Sequence, residues 1–145
     1  MNYDNLKLDN QLCHRLYTVS NAMTRAYRPM LQELDITYPQ YIVLMALWEE
    51  DKISVLSLVE KTSLDAGSLS LMLTKMLEKN LISIAKNKLD RRQKIISLSA
   101  KGLKLKEKAI TIPERMWCSL ESLSYEDALK LVELLDKMSC DFKKE

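Results

Sequence analysis

Apolar residues recur at intervals of three and four along most of the chain, and this periodicity predicts a protein built mainly from α-helices. The first helix is expected from about Asp9 to Glu33. The segment Thr37-Tyr38-Pro39-Gln40 is a capping-box sequence with proline in the first turn, which predicts the start of a second helix. From Tyr41 to Trp48 this helix is apolar on nearly all sides, so it should be buried.

A helix-turn-helix is predicted in the middle of the chain. Ser54 can cap a short third helix, and Asp65 can cap a fourth helix expected from Ala66 to Lys79. The residues expected to pack inward are Val55, Leu56, Leu58 and Val59 on the third helix and Leu69, Met72, Leu73 and Met76 on the fourth. The opposite face of the fourth helix presents Ser68, Ser70, Leu71, Thr74 and Lys75. Small polar side chains near a helix start suit insertion into a DNA major groove.

Two short strands should follow, because Ile82 and Ile84 alternate with polar residues, as do Ile96 and Leu98. A polar and basic tip, residues 86–94, joins them. A helix-turn-helix followed by a basic hairpin is typical of a winged helix, although an ordinary hairpin with a solvated tip is the alternative.

Two further helices are expected. Ser99 can cap a fifth helix that Pro113 should kink, and Ser124 can open the last helix. One face of the last helix carries Ala128, Leu131, Val132, Leu135 and Met138. The terminal helices are more apolar than one small domain needs, so we interpret them as a dimer interface.

Composition and charge narrow the class of protein. The chain has 145 residues, of which 47% are hydrophobic and 29% charged, as expected for one globular domain. It shows neither a signal peptide nor a bilayer-length apolar segment, so a cytoplasmic location is expected. The net charge is only +2, yet residues 86–108 contain nine Lys or Arg against two acidic residues, a local +7. This distribution favours a polyanionic partner such as double-stranded DNA.

Cys13 begins a stripe of reactive and hydroxyl-bearing side chains on the first helix. Tyr17, Ser20, Thr24 and Tyr27 follow it at steps of four, three, four and three residues. Fourteen residues of helix span about 21 Å, so Cys13 can meet Tyr27 only from another subunit, as in a twofold dimer. Phenol hydroxyls beside a thiol can donate hydrogen bonds to a thiolate. The alternative is that Cys13 is a small buried hydrophobe and the tyrosines are packing residues.

The segments Leu8 to Cys13 and Asp35 to Tyr41, with Tyr17 and Tyr27 between them, resemble the organic-hydroperoxide-sensing (OhrR-type) regulators of the MarR family. A related staphylococcal type of cysteine regulator shares much of this pattern. Asp90-Arg91-Arg92 resembles the D-x-R motif of the MarR wing. The resemblance covers nearly the whole chain.

This resemblance implies a mainly helical winged-helix homodimer that represses transcription and leaves operator DNA when Cys13 is oxidised by an organic hydroperoxide. It implies that hydroxyls at Tyr17, Tyr27 and Tyr38 support the thiolate, the last two from the other subunit. Cys118 matches in position the second cysteine that some such sensors use for an intersubunit disulfide. The residues expected at DNA are Ser68, Ser70, Thr74, Lys75, Asp90, Arg91 and Arg92.

The whole chain is expected to form one MarR-type domain. Residues 9–36 and 101–143 would form the helical dimerisation region, and residues 38–99 the winged helix-turn-helix. No metal or cofactor site is predicted, since Cys13, Cys118 and Cys140 are widely spaced and there is a single histidine. Two other functions stay open: a regulator of the same fold that binds a small phenolic or anionic ligand, and a thiol peroxidase in which Cys13 turns over. The basic wing argues against the peroxidase.

Overall fold

The computed structural model describes residues 3–142, and within them the chain is mainly helical with one small sheet. It divides into two compact units, Met1–Thr111 and Ile112–Glu145. The proposed dimerisation region ends at residue 143, which lies outside the described residues. Among the described residues, no helix is both long and apolar enough to cross a membrane.

The first unit contains five α-helices and three strands. In chain order they are α1 (Leu12–Gln32), α2 (Tyr38–Glu49), β1 (Ile53–Ser54), α3 (Val55–Thr62), α4 (Ala66–Glu78), β2 (Ile82–Lys86), β3 (Lys94–Leu98) and α5 (Ala100–Ala109). Two 3₁₀ turns, Asp4–Leu6 and Leu8–Asn10, precede α1. The first helix therefore starts at Leu12 rather than near Asp9.

The predicted caps form. Thr37 accepts a hydrogen bond from the Gln40 backbone N–H, and the Gln40 side chain accepts one from the Thr37 N–H, so the capping box of α2 is complete. Ser54 caps α3 and Asp65 caps α4. These caps satisfy backbone N–H groups that a helix start leaves without partners.

The core lies between α2, the helix-turn-helix and the sheet. As predicted, α2 is largely buried, with Val43, Leu44 and Leu47 almost inaccessible to solvent. The helix-turn-helix contributes three fully buried side chains to this core, those of Leu58, Leu69 and Met76. Leu56 was predicted to pack inward, and this is wrong: its side chain is 65% exposed.

The sheet has the order β1-β3-β2, and all pairs are antiparallel. Ile82 pairs with Leu98 and Lys86 with Lys94, which confirms the predicted hairpin. Strand β1 was not predicted; it pairs Ile53 with Ile96 and joins the start of α3 to the wing.

The second unit contains α6 (Ile112–Cys118) and α7 (Tyr125–Phe142). The predicted kinked fifth helix is two helices, because α5 ends at Ala109 and Pro113 lies in the first turn of α6. Proline is well tolerated there, since the first N–H groups of a helix have no intrahelical partner. Ser124 and Asp127 form a reciprocal cap at the start of α7, as expected.

Gly102 allows α5 to approach the wing. A Cβ at this position would lie 2.1 Å from the carbonyl oxygen of Leu81, the residue just before β2. The same junction is held by Ser99, whose backbone N–H donates to the Leu81 carbonyl and whose hydroxyl donates to the Asn80 carbonyl. The start of α5 is therefore fixed against the start of β2.

Candidate DNA interface and redox site

The exposed face of α4 carries the polar residues predicted to contact DNA: Ser68, Ser70, Thr74 and Lys75 are all exposed. Asp65 Oδ1 accepts a hydrogen bond from the Ser68 N–H at 2.9 Å. The Ser68 hydrogen bonds hold the pKa of Asp65 below its ordinary value, so the cap stays ionised. The Thr74 hydroxyl donates to the Ser70 carbonyl within the helix and keeps its lone pairs free to accept.

The tip of the wing, residues 87–93, is an ordered turn. Asp90 Oδ1 accepts from the Arg92 N–H at 3.0 Å, and Asn87 Oδ1 accepts from the Leu89 N–H at 2.9 Å. The Asn87 N–H donates to the Gln93 carbonyl at 2.9 Å and closes the turn. Asp90 thus fixes the backbone at Arg92, while Arg91 and Arg92 remain exposed.

A cleft of about 340 Å³ joins the helix-turn-helix to the wing. Ser70 and Thr74 of α4 and Arg92 of the wing line it together, so three of the predicted DNA-contacting residues share one concave surface. Leu56, Gln93 and Lys94 also line this cleft and were not predicted there.

Three lysines bind backbone carbonyls at the ends of helices. Lys79 Nζ donates to the Asp35 carbonyl just beyond α1, Lys101 Nζ to the Lys79 carbonyl beyond α4, and Lys106 Nζ to the Trp48 carbonyl in the last turn of α2. Cations are favoured at the ends of α2 and α4, because the end of a helix carries partial negative charge, and Lys79 also pairs with the Asp35 carboxylate at 2.9 Å. Lys101 and Lys106 belong to the basic segment 86–108, so part of its charge supports the fold.

Cys13 is exposed in the first turn of α1. Tyr17, one turn later, is 69% exposed. The apolar stripe beside them is also largely uncovered, since Leu12 is 59% and Val19 55% exposed. The interpretation of Cys13 as a buried hydrophobe therefore does not describe the single chain.

Tyr27 and Tyr38 lie against each other although they are eleven positions apart along the chain, with ring centroids 4.8 Å apart. Tyr41 continues the cluster 6.1 Å from Tyr27 and contacts Trp48. Burial raises the pKa of Tyr27, and the neighbouring Tyr38 and Tyr41 raise it further. The Tyr27 hydroxyl therefore stays protonated and able to donate a hydrogen bond. Tyr41 was not among the predicted site residues.

A second cleft, of about 360 Å³, lies beside this cluster between α1 and the start of α2. A cation and two hydroxyls, from Arg28, Thr24 and Tyr38, line it together with apolar Leu31 and Ile36.

Cys118 is the last residue of α6 and is exposed. Its neighbour Trp117 makes an edge-on contact with Tyr125, with centroids 6.1 Å apart. No group of three His, Cys, Asp or Glu side chains in the described part of the chain is placed to hold a metal ion.

Comparison with known proteins places these features in a family. The family model described as transcriptional regulator SarA/Rot matches residues 25–109. The organic hydroperoxide resistance transcriptional regulator of Bacillus subtilis is 42% identical over 133 residues, which cover 92% of this chain and 90% of that protein.

Solved structures of similar proteins have the same fold. AbfR, a Staphylococcus epidermidis protein, has been solved bound to DNA in its reduced form; it is 27% identical, with a TM-score of 0.80, over 99% of this chain and 100% of AbfR. Reduced MarR of E. coli shares the fold, with a TM-score of 0.73 and 24% identity over 88% of this chain and 96% of MarR. The Bacillus subtilis relative is a transcriptional regulator. The chain belongs to the MarR family of winged-helix regulators and is a DNA-binding transcriptional regulator of the organic-hydroperoxide (OhrR) type.

Proposed function

We propose that this regulator is a repressor that releases its operator when an organic hydroperoxide oxidises Cys13. The observation that carries the proposal is the exposed thiol of Cys13 on the same face of α1 as Tyr17 and Tyr27. The similarity to the Bacillus subtilis hydroperoxide resistance regulator supports it.

The thiolate of Cys13 attacks the terminal, hydrogen-bearing oxygen of the hydroperoxide and breaks the O–O bond. The cysteine becomes a sulfenic acid, and the alkoxide that leaves takes a proton from water to become an alcohol. A second thiol can then condense with the sulfenic acid to form a disulfide and water. The apolar surface around Cys13, including Leu12 and Val19, suits an organic peroxide better than hydrogen peroxide.

The tyrosine hydroxyls stabilise the reacting thiolate by hydrogen bonding. Tyr27 and Tyr38 lie together, and the pKa of Tyr27 is raised, so this pair can present a protonated donor. Because Cys13 and Tyr27 are about 21 Å apart along α1, the pair would act on the Cys13 of a second subunit. Tyr17, one turn from Cys13, would act within its own chain.

A mobility shift on the promoter next to its own gene tests the proposal. The reduced protein should retard the DNA, cumene hydroperoxide should release it, and a thiol reductant should restore binding. DNA binding that is unchanged by the peroxide would contradict the redox mechanism but would still support the assignment as a DNA-binding protein.

The regulator should be a homodimer. The large apolar side chains exposed on α1 and α7, among them Leu12, Val19, Leu129 and Val132, are typical of an uncovered interface. Light scattering at micromolar concentration should give about twice the 16.8 kDa chain mass. A monomer would remove both the shared redox site and the expected operator symmetry.

The DNA contacts should come from α4 in the major groove and from the wing in the minor groove. Arg92→Ala should weaken binding by about 1–3 kcal/mol for each wing and lower the log–log salt slope by about 2, because the dimer carries two copies of Arg92. Titrations at several salt concentrations measure both effects. Lys130→Ala, which removes an exposed cation from α7, should leave affinity unchanged. Unchanged affinity of Arg92→Ala would contradict the wing assignment.

Cys118 should trap the oxidised Cys13 as an intersubunit disulfide. A disulfide needs Cα atoms within about 7 Å, and a helix movement that brings the two cysteines together could spread the two DNA-binding regions of the dimer. Non-reducing electrophoresis after peroxide should show a covalent dimer that is lost in Cys118→Ser. A dimer that survives Cys118→Ser would point to Cys140 or to another partner thiol.

The cleft that contains Arg28 supports one competing function, a response to a small phenolic or anionic ligand. Arg28 would bind the anionic group, and the hydroxyls of Thr24 and Tyr38 would orient it. Under this function, Arg28→Ala abolishes the response and Cys13→Ser does not.

A further inference from the structure

Leu89 is the most exposed of the large hydrophobic side chains in the described part of the chain, at 98%. An apolar side chain in water carries a free-energy cost that burial would remove. Two hydrogen bonds hold the turn that carries Leu89 in place. The Asn87 carboxamide oxygen accepts one from the Leu89 N–H, and the Asp90 carboxylate accepts one from the Arg92 N–H. The turn therefore projects one leucine at the end of the wing.

The charged residues around Leu89 indicate which kind of partner would cover its side chain. Lys88 and Asp90 flank it, and Lys86, Arg91 and Arg92 lie nearby on the same exposed hairpin. An apolar protein surface is a poor partner, because these cations would lose water without gaining counter-charges. A DNA minor groove has the complementary pattern: its rims are phosphates, and its walls are the C–H surfaces of deoxyribose.

We infer that Leu89 packs against deoxyribose and base edges in the operator's minor groove, next to the guanidinium of Arg92. The inference rests on the proposed placement of the wing and adds an apolar, charge-independent contact to it. An apolar side chain that packs in the minor groove fits best where the groove can widen, so Leu89 would favour operator sequences that deform easily.

Leu89→Ala tests the inference without endangering the fold, since the side chain contacts almost nothing in the free protein. The probe is the duplex that the wild-type protein selects from a random-sequence pool. We expect affinity to fall about tenfold for each wing bound, as for loss of one largely buried leucine side chain per wing. The salt slope should stay at the wild-type value, because no charge is removed. Leu89→Met, which conserves volume, should stay within about twofold of wild type.

Leu6→Ala is the matched control, because it truncates a leucine that is 77% exposed in the 3₁₀ turn before α1, outside the wing and the helix-turn-helix. The inference is overturned if Leu89→Ala binds within about twofold of wild type, or no more weakly than Leu6→Ala. It is also overturned if Leu89→Ala changes the dimer mass in the absence of DNA, since the leucine would then contact a second copy. If Leu89→Ala binds normally while Arg92→Ala does not, the wing assignment stands without the leucine contact; if both bind normally, the wing assignment itself fails.

Discussion

Gly102→Ala should lower the free energy of unfolding by about 3 kcal/mol or more, at the upper end for an overpacked site. The added methyl group would overlap the backbone carbonyl of Leu81, which lies 2.1 Å from the Cβ position. A backbone atom cannot move aside as a flexible side chain can, so α5 must separate from the start of β2. Thermal unfolding should show a fall of roughly 6–12 °C for a chain of this size. The wing is continuous with β2, so DNA affinity should fall as well.

Gly67→Ala is the matched control, because Gly67 and Gly102 are the only two glycines in the sequence and both lie in helices. A Cβ on Gly67 would meet only the Asp65 carboxylate, at 3.3 Å, and this exposed side chain can shift slightly. Alanine is the better helix former, so stability should remain within about 1 kcal/mol of wild type. Equal melting temperatures for the two variants would contradict the close approach at Gly102.

Cys13→Ser should bind DNA like the wild type and fail to release it after treatment with an organic hydroperoxide. Oxidation of the wild type should weaken binding by about 5–150-fold, the usual range for coupling between two sites. Serine has nearly the same size but no thiolate, and the side chain is exposed, so only the chemistry is lost. Fluorescence anisotropy with labelled operator, before and after cumene hydroperoxide, measures both affinities.

Cys140→Ser provides the control for general oxidation, since Cys140 is an exposed cysteine on α7. This variant should release DNA as the wild type does. If Cys13→Ser also releases DNA, then Cys13 is not the sensor, and the cleft lined by Arg28 becomes the first place to examine.

The local structure of this protein follows closely from its sequence. The capping box at Thr37, the cap at Asp65 and the alternation in the wing are short-range signals, and each element appears where it was predicted. Strand β1 was missed because a two-residue strand is too short to show any period. Leu56 was misplaced because a hydrophobic residue near a helix start was assumed to face the core, whereas it lines the cleft beside Arg92.

The candidate sites depend more on tertiary structure. The contact of Tyr27 with Tyr38 arises because the turn between α1 and α2 brings the start of the second helix against the last turns of the first, and spacing along the chain does not encode it. The close approach at Gly102 and the carbonyl contacts of Lys79, Lys101 and Lys106 also join segments far apart in sequence. The roles expected for Cys13 in peroxide sensing and for Arg92 in DNA binding came from the resemblance to a family, because the periodicity of the sequence does not indicate them.

The hydrogen bonds from Lys79, Lys101 and Lys106 to backbone carbonyls affect how the winged helix-turn-helix unfolds. These bonds link residues 44, 22 and 58 positions apart, and each one closes a helix end with a group from a distant element. The end of such a helix loses a hydrogen-bond partner once the neighbouring element leaves, so the two open more readily together than apart. The final turns of α2 and α4 and the turn after α1 should therefore open as one cooperative unit, and their amide protons should exchange with a common free energy rather than fraying separately.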